Sequence, residues 1–277
     1  MFQKSLRELY GANPFTVLDT NDNDWRLHSR LWTNKGILPP LEPLKQKSQT
    51  NFKDDDFVKT QSVFDPYLCE LMYRWFCPDN GTILDPFCGG SVRGIVAQSL
   101  GYHYTGIDIR QDQIDSDISQ SKMILPEQKQ PCYICGDSDS VLTRDRFENN
   151  FDMIFTCPPY HNLEVYSNSE NDLSNMSWKE FLPKYRSIIE KSCRLLKHGA
   201  MAVIVVGEVR ARTGYYVGLV PETIKAFTDV GMKFYNEAIL ITPYVNAAKR
   251  ASSSMKNGKL VKVHQNVLMF IRPKYNY

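Results

Sequence analysis

Thr82-Ile83-Leu84-Asp85-Pro86-Phe87-Cys88-Gly89-Gly90-Ser91 is the stretch whose reading decides the fold of this 277-residue chain. Thr82 to Asp85 reads as a short buried strand. Pro86 stops it, because proline has no N–H for a sheet ladder. Gly89 and Gly90 permit a tight turn and a close backbone approach. Val92, Ile95, Val96, Ser99 and Leu100 then recur at helical spacing, and Gly101 suits the end of that helix. The unit is strand, glycine turn, helix. A helix starting near Ser91 offers free N–H groups to an anionic group.

The same alternation extends outward. Upstream, Tyr67, Leu68, Leu71, Met72, Trp75 and Phe76 form a helical stripe from Phe64 onward. Downstream, strands are expected at Tyr104–Ile109, Cys132–Asp137, Phe151–Thr156, Met201–Gly207, Tyr235–Thr242 and Gln265–Ile271. Helices are expected through Phe181–Leu196 and from Pro221 through Phe227. Met201 to Gly207 is continuously apolar, as suits a strand covered on both faces. Strands alternating with helices imply an α/β fold with a doubly wound, Rossmann-like, mostly parallel sheet. Seven strands are expected. The last two are joined by a basic loop with no helical stripe, so the last strand should run antiparallel. Residues 1–60 read as an N-terminal extension and linker, with a Pro-rich surface connection over 37–60 that carries Asp54-Asp55-Asp56. Residues 61–277 read as one catalytic domain.

In an open parallel sheet, ligands bind beyond the carboxyl ends of the strands. Asp85, Asp108 and Asp137 each close a strand. Asp108 lies nineteen residues after Gly89, the distance expected of a ribose-binding acid on the second strand. Asp137 is suited to accept from an adenine amino group. The candidate cofactor residues are therefore Asp85, Pro86, Phe87, Cys88, Gly89, Gly90 and Ser91 of the turn, with Asp108, Ile109, Asp137 and Ser138 beyond the next strands. A nicotinamide nucleotide is the rival occupant. Its G-x-G-x-x-G fingerprint is incomplete, since Ser91 stands where the middle glycine belongs.

Thr156-Cys157-Pro158-Pro159-Tyr160 closes the fourth strand. Two prolines fix φ and remove donors, leaving a stiff turn that displays carbonyl acceptors. An exocyclic amine on a nucleobase is a poor nucleophile, because its lone pair is delocalised into the ring. Carbonyls aimed at its two hydrogens would favour the pyramidal form, and Tyr160 would stack on a flipped base. Cys157, Pro158, Pro159 and Tyr160 are thus the candidate catalytic residues. The chemistry they suit is methyl transfer to a base amino group from a sulfonium donor held in line.

Composition bounds the alternatives. A net charge of +2 does not by itself call for a polyanionic partner. Locally, Thr242 to His264 carries Lys249, Arg250, Lys256, Lys259 and Lys262 without an acidic residue. With Arg210 and Arg212, these are the candidate nucleic-acid contacts. Seven scattered cysteines read as reduced core residues. Cys132-Tyr133-Ile134-Cys135 lacks the second ligand pair that zinc requires, so no metal is expected. No apolar run is long enough to span a membrane, and the first residues do not form a signal peptide. A cytoplasmic protein is expected.

The two motifs, in this order, resemble the S-adenosylmethionine-dependent amino-group DNA methyltransferases. Those enzymes carry an Asp-Pro-Phe-x-Gly turn and an Asx/Ser-Pro-Pro-Tyr clamp. The resemblance runs from about Phe64 to Ile271. It is closer to phage and prophage DNA modification methylases, through Phe64 to Leu71, Gly90 to Val96, Leu163 to Ser167 and Asp172 to Met176. It implies S-adenosylmethionine as cofactor, DNA as partner, a bacterial or infected-host cytoplasm, and Phe64, Asp65 and Pro66 closing over the cofactor's methionine end. One departure is Cys157, where the family has Asp, Asn or Ser. Cysteine is nearest in size to the serine of cytosine-N4 enzymes, whereas adenine-N6 enzymes are the larger class, so the target base stays open. RNA as substrate, an inactive DNA-binding relative and a homodimeric state stay open as well.

Overall fold

The structure is a computed structural model and describes residues 4–43, 45–46, 63–147, 151–161, 164–211, 213–244 and 247–274. In chain order the elements are α1 (Leu6–Tyr10), β1 (Val17–Asp19), α2 (Asn23–Thr33), β2 (Lys45–Gln46), α3 (Pro66–Phe76), β3 (Thr82–Asp85), α4 (Val92–Ser99), β4 (His103–Asp108), α5 (Gln111–Ile124) and β5 (Cys132–Cys135). Then come α6 (Ser138–Val141), β6 (Phe151–Thr156), β7 (Glu164–Val165), α7 (Trp178–Arg194), β8 (Leu196–Val206), α8 (Leu219–Asp229), β9 (Lys233–Ile241), α9 (Ala247–Met255) and β10 (His264–Ile271).

The main sheet has the order β1-β9-β10-β8-β6-β3-β4-β5. Its pairs are parallel except that β10 runs antiparallel to both β8 and β9. The α/β class and the antiparallel last strand are as expected. The strand count is corrected from seven to eight. The extra strand is β1, three residues that pair Val17 with Ile239 and Asp19 with Ile241. Three residues are too few for a period-two pattern to stand out.

Strand alternation builds two core layers, one on each face of the sheet. Ile83 of β3 joins Val203 and Val205 of β8 on the face shared with Leu71, Met72 and Val96 of α3 and α4. Their neighbours Leu84, Ala202, Ile204 and Val206 point the other way, onto Phe181, Tyr185 and Ile188 of α7. A continuous apolar run thus serves two layers.

Three local expectations change. The segment after β9 holds the helix α9, so the basic stretch is not one loop; its residues are mostly exposed, and it makes no apolar stripe against the core. Helix α5 had no stripe to announce it, because it packs through Gln113, Asp117, Gln120 and Ser121 besides Ile114. The connection from Ile37 to Glu42 is laid across the glycine turn as a strap. Leu38 N–H donates to Gln120 Oε1 at 3.1 Å, Leu41 N–H to Gln113 Oε1 at 2.8 Å, and Arg110 Nη1 to the Glu42 carbonyl at 3.1 Å. The acidic run at 54–56 lies outside the described residues. No described helix is long and apolar enough to cross a membrane.

Candidate active site

The site lies where β3, β4 and β6 end together. Asp85 closes β3 fully buried, and its carboxylate is filled by this chain's own donors. Arg93 Nε donates to Oδ2 at 2.5 Å and Tyr104 Oη at 2.7 Å. Thr156 Oγ1 donates to Oδ1 at 2.5 Å and Phe87 N–H at 3.1 Å. The Arg93 guanidinium also donates to the carbonyls of Phe87 at 2.8 Å and Cys88 at 2.7 Å, and lies 4.6 Å from the Phe64 ring centroid. Asp85 therefore acts as a tie. It joins the turn after β3, the start of α4 and Thr156, the residue just before Cys157. The roles of Arg93, Tyr104 and Thr156 had no sequence reading. A lone arginine inside Gly90–Val96 was the available signal, since a cation in an apolar helix stripe calls for a buried acid.

The turn itself has room for a ligand. Gly89 has φ 49°, and a Cβ there would meet nothing within 4 Å. Gly90 is packed more closely: a Cβ there would lie 3.0 Å from Pro40 of the strap, which would have to give way by a few tenths of an ångström. Cys88 is fully buried, its thiol pushed up by burial. Ser91 is the N-cap residue of α4 but makes no capping bond; its hydroxyl goes to Gln120 at 3.0 Å.

Asp108 sits at the end of β4, partly exposed. It accepts from Gly89 N–H at 3.0 Å and Arg110 N–H at 2.8 Å. Burial raises it to about 6 despite those two donors. Each carboxylate oxygen thus accepts one backbone bond and keeps lone-pair capacity beyond it. Ile109 follows it, and its carbonyl receives the Cys135 thiol at 3.8 Å. Asp137 caps α6 through Asp139 N–H and is paired with Lys184 Nζ at 2.8 Å. Ser138 is buried and donates to the Pro86 carbonyl at 2.6 Å. Asp65 caps α3 and accepts from Trp25 Nε1 at 2.7 Å and Ser29 Oγ at 2.9 Å, while Pro66 is the first residue of that helix.

The clamp turn stands beside this group. Pro86, Phe87, Thr156 and Pro158 meet around one small internal void that Tyr185, Ile189 and Phe227 of α7 and α8 close from the other side, so the two turns are adjacent in the core. Burial pushes the Cys157 thiol up, with the Arg93 guanidinium pulling against it, so the thiol is neutral at physiological pH. The Tyr160 hydroxyl accepts from Gln265 Nε2 at 2.5 Å, and burial raises it well above a free phenol. Gln265 thereby fixes the ring from β10.

The basic residues share this edge of the sheet, because β8 and β9 end there and β10 starts there. Lys262 reaches the clamp: its Nζ and the Tyr160 hydroxyl both lie within 3.7 Å of where a Cβ of Gly207 would stand. Burial lowers Lys262, opposed by Glu208. Arg210 stacks on Tyr216 at 4.0 Å. Lys249 and Arg250 lie on α9, with Lys256 and Lys259 after it. Arg212 lies outside the described residues. Cys132 and Cys135 are exposed on the edge strand β5.

The N6/N4 methyltransferase family model, described as DNA methylase, matches residues 7–120. That span contains the Phe64 segment, the glycine turn and Asp108, and ends before the clamp. The family resemblance read from the motifs is borne out there. Among solved structures, the [4+2]-cyclase SpnF is similar with TM-score 0.52 and 16% identity, over 88% of this chain and 92% of that one. TrmN from Thermus thermophilus gives 0.48 and 12%, over 76% of this chain and 50% of that one, so this chain spans half its length. A TehB-like SAM-dependent methyltransferase from Corynebacterium glutamicum gives 0.45 and 16%, over 89% and 99%. At these identities the likeness to SpnF concerns the fold alone. No curated protein matches the chain.

Proposed function

We propose that this protein is an S-adenosylmethionine-dependent methyltransferase acting on the exocyclic amino group of adenine or cytosine in DNA. The observation that carries the reading is the coupling of two turns. The glycine turn after β3 and the Pro-Pro-Tyr turn after β6 are ends of neighbouring strands, tied through Thr156 and Asp85. The DNA methylase family match over residues 7–120 supports the cofactor half.

The residues present fit the cofactor. Open space faces Gly89, and Asp108 keeps acceptor capacity beside it. In the proposal Ile109, Asp137 and Ser138 complete the cofactor site, Ser138 being tied to the glycine turn through the Pro86 carbonyl. Phe64 would cover the methionine end, held there by its stacking under Arg93. When bound, S-adenosylmethionine supplies a sulfonium-activated methyl, so that the N–C bond forms as the C–S bond breaks and the amine then sheds a proton to water. The chain's own contribution is positioning. The Pro158 carbonyl accepts the amine's hydrogens, with Cys157 as a weak partner, and Tyr160 stacks on the extruded base. Residues 61–277 carry this machinery in the proposal, with residues 1–60 as an N-terminal extension and linker. The basic edge from Arg210 to Lys262 supplies phosphate contacts.

The test is incubation with radiolabelled S-adenosylmethionine and unmodified duplex DNA, followed by digestion to nucleosides. Label in N6-methyladenine or N4-methylcytosine supports the proposal and identifies the base. Cofactor binding with unlabelled DNA rejects it, and label in RNA instead redirects the substrate class.

A further inference from the structure

A small hairpin leaves the end of β8 beside the clamp. Val209 and Val217 pair through a 2.9 Å backbone bond, Ala211 N–H donates to the Tyr215 carbonyl at 2.8 Å, and Arg210 and Tyr216 form an antiparallel bridge. Gly214, at φ 89°, makes the turn. The hairpin is braced from several sides. Arg210 Nη1 donates to the Gly214 carbonyl at 2.8 Å and its guanidinium covers the Tyr216 ring. Lys259 lies against Gly214, its ammonium resting where a Cβ would stand. At the root, the Glu208 carboxylate accepts from Gly218 N–H at 3.2 Å and Val220 N–H at 2.6 Å, pinning the exit strand to the start of α8.

On this braced scaffold Tyr215 is 77% exposed, while Tyr216 beside it is held under Arg210. Burial cannot be what an aromatic ring does at such a position. Its setting is cationic, with Arg210 and Lys259 against the same turn. Its root is at the clamp, since a Cβ of Gly207 would stand 3.6 Å from the Tyr160 hydroxyl. A rigid aromatic beside cations is the arrangement that stacks on nucleobases, because every base has a π-face and the backbone around it is anionic. A base drawn out towards Tyr160 leaves a gap in the duplex stack, and a side chain inserted there lowers the cost of the extruded state.

We infer that Tyr215 is a stacking wedge, entering the DNA duplex beside the base that Tyr160 receives. The inference rests on the proposed DNA methylation and extends it to a residue outside both motifs. It also separates roles along the basic edge: the cations hold phosphates, and Tyr215 acts on the stack.

The experiment uses the full chain with heterogeneous unmodified duplex DNA and radiolabelled S-adenosylmethionine. Tyr215→Ala should slow DNA methylation by about fivefold or more, the lower end of losing one base stack. Cofactor KM and the thermal midpoint should not move, since the side chain is in solvent. Tyr215→Phe should keep the wild-type rate, because the ring and not the hydroxyl does the stacking. Tyr215→Trp should stay active and show fluorescence quenching on duplex addition beyond that of the wild type. Undiminished methylation by Tyr215→Ala, an equal loss in Tyr215→Phe, or no extra quenching in an active Tyr215→Trp protein overturns the wedge while leaving methylation standing. A wild-type protein that labels no DNA overturns the function beneath it.

Discussion

Arg93 Nε lies 2.5 Å from Asp85 Oδ2, with both side chains withdrawn from solvent. The same guanidinium holds two carbonyls of the glycine turn, and the same carboxylate holds Thr156 at the root of the clamp. One ion pair therefore sets the distance between the proposed cofactor site and the proposed base site.

Removing one partner leaves a buried charge without compensation. Arg93→Met should lower stability by about 3–5 kcal/mol, read from urea denaturation midpoints. Arg93→Lys should not rescue it, because an ammonium cannot reproduce the planar fork that reaches a carboxylate and two carbonyls. Full stability in the lysine variant would refute the fork argument.

Cofactor affinity should depend on Asp108. Its free-state value of about 6 means that the carboxylate protonates as pH falls through 6. Ribose hydroxyls donate to the charged form, so binding should weaken below pH 6 and release protons there. Calorimetry in two buffers of different ionisation enthalpy measures both effects. An affinity that is flat from pH 5 to 7.5 would exclude Asp108 as the ribose acceptor.

Asp117 makes a separate stability prediction. It is fully buried on α5, accepts from Gln113 Nε2 at 2.8 Å through Oδ1, and is raised by burial to about 8. A raised acid binds protons in the folded state that the unfolded chain has already lost. Stability therefore falls as pH rises from about 4 to about 8, at no more than about 1.4 kcal/mol per pH unit. Asp117→Asn should remove this slope, gaining most over the wild type at pH 8 and little at pH 4. Parallel denaturation curves at both pH values would contradict it.

Tyr160 should divide into ring and hydroxyl contributions. Tyr160→Phe keeps the ring and loses the hydroxyl's hydrogen bonds to Gln265 and Cys157, so methylation should fall by no more than about thirtyfold, at about 1 kcal/mol for each bond. Tyr160→Ala loses base stacking and should fall well beyond that, with cofactor affinity intact. The readout is single-turnover methyl transfer at saturating cofactor.

DNA binding through the basic edge should weaken with salt. Neutralising Lys256 and Lys259 together should reduce the log–log salt slope by about two if both meet phosphates. A slope equal to that of the wild type would leave them as solvated surface charges.

Much of this was legible in the chain. Thr82–Asp85 and Phe151–Thr156 are strands at the expected bounds, because strong apolar runs ended by proline have few other ways to fold. Helix α5 and the strap were not legible. Their anchors are glutamines and backbone groups, which carry no periodic apolar signal. Residues 242–264 scatter their few apolar side chains among Lys, Arg, Ser and Asn without a long helical stripe, so a solvent-exposed helix there resembles a loop.

By itself the sequence determined the alternation of elements, the order of the two turns and the residue types displayed at each. Those follow from local sterics and from the periodicity of apolar side chains. The tertiary structure alone decided that Asp85 is a buried tie already filled by four donors, while Asp108 keeps free acceptor capacity. At the level of residue type the two are the same aspartate at the end of a strand. Arg93, Tyr104 and Thr156 reach Asp85 only when three strands and a helix are packed together, and that packing sets which acid is spent on the fold and which keeps acceptor capacity for the proposed cofactor.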